Sequence, residues 1–236
     1  MKTVIVGGVA GGMSAATRLR RLDESAEIVV FERTGYVSFA NCGLPYYIGG
    51  VIEKRGALLL QTPESLAERF AVDVRVHHEV VSIDREAKTV TVRHTVTGET
   101  TTESYDALVL SPGAAPFVPD IPGKERALAL RNIEDVDALD ARLGHIEGDE
   151  ESERVAVVMG AGFIGLEVAE NLVHRGWAVT VIELADQVLA PLDPELAALV
   201  QRRLEANGVT VLLGESVAEI SPSGVALVDG TRLPAP

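Results

Sequence analysis

"RVAVVMGAGFIGLEVAENLVHRGWAVTVIEL", residues 154–184, decides the fold. It opens on an apolar run of strand length. Gly160, Gly162 and Gly165 then give the spacing GxGxxG. A stretch with helical spacing follows, then a second apolar run, then Glu183, 23 residues after Gly160. This is the βαβ dinucleotide fingerprint. Glycine lets the backbone approach a pyrophosphate, and the helix N-terminus favours its negative charge. The terminal carboxylate accepts hydrogen bonds from ribose hydroxyls.

The chain carries a second version at its start. "TVIVGGVAGGMSAATRLRRLDESAEIVVFER", residues 3–33, repeats the order strand, glycine turn, helix, strand and glutamate. Gly7 and Gly12 hold the outer positions, but Val9 takes the middle one, flanked by Gly8 and Gly11. Glu32 follows Gly7 by 25 residues. Two such units in one chain predict two dinucleotides, a flavin and a nicotinamide.

Between them lies β material. "VDVRVH", "EVVSID" and "KTVTVRHTV" run apolar or alternate at strand lengths, and Thr97-Gly98 reads as a hairpin tip. "YDALVLSPGAAP" reads as a buried strand ending in a Pro-Gly turn, and "FVPDIPG" as a linker. Residues 132–143 have helical spacing, and "EGDEESE" reads as a solvated acidic loop. "DPELAALVQRRLEANG" reads as a helix capped by Asp193, with Pro194 in its first turn and Gly208 at its end. The predicted fold is α/β: two Rossmann-like dinucleotide-binding domains with a small β insertion. The expected boundaries are 1–115 for the first domain (insertion about 72–104), 116–152 for a linker and helix, and 153–236 for the second domain.

Composition narrows the function classes. The chain has 236 residues, 47% hydrophobic, with a formal net charge of −14. That balance argues against nucleic acid, whose phosphates need clustered Lys and Arg. No apolar run approaches the roughly 18 residues of a membrane span. The amino terminus enters a strand without the apolar h-region of a signal peptide. A cytoplasmic protein is expected, with no membrane partner. A single cysteine excludes an intrachain disulfide and fits a reducing compartment. The five histidines show no metal-ligand spacing, so no metal is expected.

That cysteine, Cys42, lies in "SFANCGLPYYIGG", residues 38–50. Alone it would read as a small packing residue. Its setting reads differently. Paired dinucleotide units, "YDALVLSPGA" and the Ser-Phe-x-Asn-Cys-x-Leu-Pro-Tyr core together resemble the FAD-dependent pyridine nucleotide-disulfide oxidoreductases. The cysteine core is similar to the coenzyme A-disulfide reductase and persulfide reductase branch. The resemblance covers nearly all of the chain. The cysteine motif is the specific part, and the glycine motifs place only the superfamily.

The resemblance implies roles. Gly7, Gly12, Glu32 and Arg33 carry over as FAD contacts, and Gly113 as a second FAD-contacting turn. Gly160, Gly162, Gly165 and Glu183 carry over as contacts of the nicotinamide cofactor, with Phe163 and Glu167 lying beside nicotinamide and flavin. The family uses NADH or NADPH. Here no Lys or Arg closely follows Glu183 in "IELADQVLAPLD", and a 2′-phosphate would want one, so NADH is favoured. Cys42 carries over as the catalytic sulfur and Asn41 as the residue orienting the sulfur or substrate. A helix beginning in "CGLPYYIG" would favour the thiolate. Arg18 and Arg21 lie three apart on one helix face. In the family that face borders the coenzyme A channel together with Ser38 and Asn41. Arg20 points elsewhere and reads as plain surface.

One cysteine suffices if the second sulfur comes from the substrate, as CoA disulfide, persulfide or polysulfide. Related NADH oxidases and peroxidases offer an alternative, in which Cys42 would cycle through sulfenic acid. A non-enzymatic nucleotide-binding fragment is a third. Family members are longer and return to the FAD domain before a dimerisation domain. The resemblance therefore implies a truncated chain whose full-length form is a homodimer.

Overall fold

The computed structural model describes residues 1–149 and 153–235 and resolves into two compact units, Met1–Ala40 with Gly56–Ala115 and Asn41–Arg55 with Pro116–Pro236. The first unit is built on a parallel sheet. Strand β1 (Lys2–Val6) leads through helix α1 (Ala10–Leu22) to β2 (Glu27–Phe31). Helix α2 (Leu44–Ile48) belongs to the second unit. Helix α3 (Pro63–Phe70), β3 (Asp73–Arg75) and, after an excursion, β7 (Ala107–Leu110) complete the order β3-β2-β1-β7.

Side chains alternate across these strands. Ile5, Ile28 and Val30 meet Met13, Ala16, Leu66 and Val72 beneath α1 and α3. Val4, Val29 and Phe31 face the other way onto Val90 and Val92. Those valines belong to an antiparallel sheet of β4 (His78–Asp84), β5 (Thr89–His94) and β6 (Thr100–Ser104). Glu103 of β6 accepts from Lys2 at 2.5 Å and from Arg75 at 2.6 Å, tying the two sheets together. The strand 107–110 forms as expected but is half-buried, with Leu110 58% exposed, because β7 pairs only with β1 among the described residues. Arg20 is not plain surface. Its guanidinium donates to Phe70 O and Ala71 O, both at 2.8 Å, and to Glu24 O at 2.6 Å. It closes the ends of α1 and α3 against each other.

The second unit repeats this plan. Strand β8 (Val155–Met159), helix α5 (Phe163–His174), β9 (Ala178–Glu183), helix α6 (Pro194–Ala206) and β10 (Thr210–Leu213) form a parallel sheet in the order β10-β9-β8. An antiparallel sheet of β11 (Val217–Ser221), β12 (Gly224–Leu227) and β13 (Arg232–Leu233) follows, as β4–β6 follow β3. Even the second helices start alike, Thr62-Pro63-Glu64 against Asp193-Pro194-Glu195. The duplication is therefore longer than the two fingerprints. Asp193 stands at the N-cap, yet its carboxylate makes no capping bond.

Helix α4 (Ile133–Glu147), opened by an Asn132–Asp135 capping box, also belongs here. It runs past the expected end at 143. Glu147 therefore belongs to a helix rather than to a solvated loop, and it is paired with Arg175. Glu150, Glu151 and Ser152 of the expected acidic loop lie outside the described residues. The two copies differ most at residues 39–61, which the first copy inserts between Ser38 and Thr62. The second has only 190–192 between Leu189 and Asp193. The insertion carries Cys42.

Candidate functional site

Both glycine loops are built from the same set of bonds. Gly7 and Gly160 take φ of +100° and +99°, a region open to glycine. Each donates its N–H across to the second strand, to Phe31 O and Ile182 O, at 2.8 Å. A Cβ on Gly12 would collide with Gly7 O, and one on Gly165 with Gly160 O, so each helix starts hard against its turn. Gly8 N–H donates to Glu32 Oε2 and Ala161 N–H to Glu183 Oε2, both at 2.7 Å. The other carboxylate oxygens accept Thr34 N–H and Ala185 N–H, both at 2.9 Å. Six residues past each glutamate the chain turns left-handed. Ser38 and Leu189, both at φ +47°, donate their N–H groups to Gly8 O and Ala161 O at 2.9 Å.

Each glutamate therefore buttresses its own loop. Glu32 is 6% exposed and also accepts the Thr34 hydroxyl at 2.9 Å, leaving little of its hydrogen-bonding capacity free. Glu183 is half-buried, and among the described residues its carboxylate takes only the two backbone donors.

The loops differ in what surrounds them. In the first copy a Cβ on Gly7 would strike Ser111 O, so the turn after β7 lies against the loop, and Gly113 there takes φ +71°. In the second copy a Cβ on Gly160 or Gly162 would meet nothing within 4 Å. Helices α1 and α5 have no side-chain cap, whereas α3 and α4 carry capping boxes. Uncapped first-turn N–H groups and glycine-lined space are what a pyrophosphate requires. The residues present fit a dinucleotide at each loop: Gly7, Gly12, Glu32 and the exposed Arg33 in the first unit, and Gly160, Gly162, Gly165 and Glu183 in the second.

Phe163 and Glu167 lie one turn apart on α5. Phe163 is 62% exposed and Glu167 is half-buried. Both line a groove of about 790 Å³ with Tyr46 and residues of α6. Past Glu183 the chain offers Leu184, Ala185 and Asp186, with no cation.

The cysteine segment leaves residues 38–40, which pair with 58–60 through Ser38 O and Ala40 N–H. Asn41–Gly43 forms a 3-10 turn, and α2 follows directly. The helix thus starts two residues past Cys42 and spans five residues. Cys42 is exposed. The Asn41 side-chain oxygen beside it is buried with no hydrogen-bond partner. Ser38 belongs to the first unit and Asn41 to the second, though the resemblance groups them. Arg18 and Arg21 are exposed on α1 and make no hydrogen bond or ion pair among the described residues.

Sequence reasoning missed the residues that seat α2. Arg175 donates to Ile48 O at 2.9 Å and is held by Glu147 (2.8 and 2.9 Å) and Asp140 (2.9 Å). The bonds from Arg175, helped by Trp177, hold the Glu147 carboxyl below the usual range against a desolvation penalty. Only the helix-terminal arginine before Gly176 hinted at such a role, and that pattern is common at helix ends. Among the described residues no His, Cys, Asp or Glu group is arranged to hold a metal, and no helix is long and apolar enough to cross a membrane.

The chain matches the family described as pyridine nucleotide-disulphide oxidoreductase over residues 1–235. It is 38% identical over 229 residues to a coenzyme A disulfide reductase of Staphylococcus epidermidis, covering 97% of this chain and 51% of that one. The chain spans about half the length of the curated relatives it matches. Among solved structures, reduced Bacillus anthracis CoADR-RHD shares 48% identity at a TM-score of 0.91, over 99% of this chain and 42% of that chain. An NAD-dependent persulfide reductase from A. fulgidus shares 35% identity, also at 0.91, over 100% and 44%.

Proposed function

The chain belongs to the pyridine nucleotide-disulphide oxidoreductase family, FAD flavoproteins that use NAD(P)H, and we propose that it carries electrons from NADH by way of FAD to Cys42, which reduces a disulfide, persulfide or polysulfide of a small thiol, coenzyme A foremost. One observation carries this reading: the sole cysteine lies exposed on a segment inserted into one copy of a duplicated dinucleotide unit.

The first unit holds FAD through Gly7, Gly12, Glu32, Arg33 and Gly113. The second holds the nicotinamide cofactor through Gly160, Gly162, Gly165 and Glu183, with Phe163 and Glu167 beside its reactive end. NADH is preferred because the Glu183 carboxylate and Asp186 would repel a 2′-phosphate that no nearby Lys or Arg offsets. FAD, when bound, supplies two-electron transfer between nicotinamide and sulfur.

The chain's own chemistry is at Cys42. Its thiolate attacks one sulfur of RS–SR, forming Cys42–S–S–R while the substrate S–S bond breaks and RS⁻ leaves to be protonated. Two electrons then cleave the mixed disulfide, releasing the second thiol and restoring the Cys42 thiolate. NADH becomes NAD⁺, and one disulfide becomes two thiols. Asn41, with its orphaned oxygen, has an acceptor available to orient the thiol or an N–H of the substrate. Arg18 and Arg21 face solvent without partners, which suits phosphate groups of coenzyme A. Ser38 adds a hydroxyl from the same unit.

Cys42→Ser in the flavin-loaded protein should abolish NADH-driven disulfide reduction while flavin stays bound. Retained turnover would refute the reading.

A further inference from the structure

The segment that carries Cys42 is gripped at three points by helices of its own unit. At the first, the Arg175 guanidinium donates to the carbonyl of Ile48, the last residue of α2. At the second, Asn171, one turn earlier on α5 and 3% exposed, lies so close to Gly49 that any Cβ there would overlap its side chain. At the third, Arg55 grips Asp137 of α4 through Nε–H and Nη2–H, one donor to each carboxylate oxygen, at 2.5 and 2.7 Å. Leu44 and Ile48 of α2 are buried, and α2 packs against α5 and α4.

Arg175 is itself immobilised before it reaches α2. Its fork is bidentate to Glu147, whose carboxylate also accepts Trp177 Nε1–H at 2.8 Å, and it donates to Asp140 as well. A long side chain held by two carboxylates presents its second Nη1–H in one place. Ile48 O is among the last-turn carbonyls of α2 that lack an intrahelical partner. Meeting it from Arg175 fixes where α2 ends. A short helix fixed at its C-terminal end fixes the turn at its other end, and that turn holds Cys42.

We propose that Arg175 is a positioning residue for Cys42: locked by Glu147 and Asp140, it seats the carboxy-terminal end of α2 on α5 and so sets where the thiol stands. The inference rests on reading Cys42 as the redox sulfur. The same strut, α5, begins at the dinucleotide loop and ends at the cysteine helix.

Cys42 is the sole thiol, so a nitroxide label attached there reports its mobility without further engineering. In Arg175→Gln, measured well below the melting temperature, the label should change from a restricted to a mobile spectrum. Amide exchange over residues 44–50 should rise about tenfold or more, while exchange in β8 and β9 stays put, as local opening requires. Arg175→Lys, which retains a donor but not the fork, should fall between. A folded Arg175→Gln protein with wild-type label mobility and wild-type exchange over 44–50 would overturn the proposal. Should Arg175→Gln not fold, Arg175→Lys carries the test alone: it keeps a cation beside Glu147 and Asp140 but cannot hold both carboxylates and Ile48 O together. A folded Arg175→Lys protein with wild-type label mobility and wild-type exchange over 44–50 would equally overturn the proposal. The readout involves no turnover. A Cys42→Ser protein that still reduces disulfides would sink the functional reading and leave the seating result standing.

Discussion

The glutamates that close the two fingerprints should stabilise the protein with no nucleotide bound. In Glu32→Gln the amide has one oxygen where the carboxylate has two. With that oxygen kept toward Thr34, the NH₂ group faces Gly8 N–H, leaving a buried donor without an acceptor at a cost of about 1–3 kcal/mol. The bonds that survive also weaken from charged to neutral, so the expected loss is about 2–4 kcal/mol. Glu183→Gln orphans one backbone N–H at a more exposed site, so about 1–2 kcal/mol is expected. Urea unfolding of nucleotide-free protein measures both. A carboxylate serving only ribose would lose nothing in that assay. Losses below about 0.5 kcal/mol in both variants, within the range of ordinary surface substitutions, would refute the buttress. A larger loss at Glu183 than at Glu32 would refute the comparison between the loops.

Two further outcomes follow from the charges. Glu147 and Glu103 have carboxyls held below the usual range in the folded protein. For Glu147 the hydrogen bond from Arg175 leads; for Glu103 desolvation is the largest single influence and pushes upward, but the bonds and charges of Lys2 and Arg75 together outweigh it. Depressed folded values mean their stabilisation is present above the unfolded carboxylate pKa, about 4.3, and fades as pH falls through the folded value. The urea midpoint should therefore drop between pH 6 and pH 3 (about the carboxylate range), and Glu147→Gln should reduce that drop. At the second loop, NADH should bind at least about tenfold more tightly than NADPH, a gap of about 1.4 kcal/mol. Equal affinities by calorimetry would show that Glu183 and Asp186 do not discriminate.

The fingerprints are legible in the sequence because their demands are local: a glycine where the turn needs positive φ, another where the helix meets the turn, and a carboxylate at the strand end. Ser38 and Leu189 share a conformation and a bond but no side-chain chemistry, so their equivalence is invisible in the letters. The Thr62-Pro63-Glu64 and Asp193-Pro194-Glu195 starts do match, but the inserted cysteine segment hides the register. Arg20 reads as plain surface and Glu147 as part of a solvated acidic loop, and nothing in the sequence singles out Arg175. Their partners lie far away in sequence, Ile48 being 127 residues from Arg175, and no periodicity encodes such a pairing. The strand after "YD" forms where expected, but its exposure depends on its neighbours in the sheet, which composition does not reveal.

If Cys42 is the redox sulfur, electrons from NADH must arrive there. The flavin-loaded protein should be converted to its mixed disulfide with coenzyme A, freed of excess reagent, and given NADH without oxygen while its intact mass is followed. One coenzyme A adduct is expected on Cys42, removed on addition of NADH with one thiol released per NADH oxidised. An adduct that persists in the presence of NADH would contradict it.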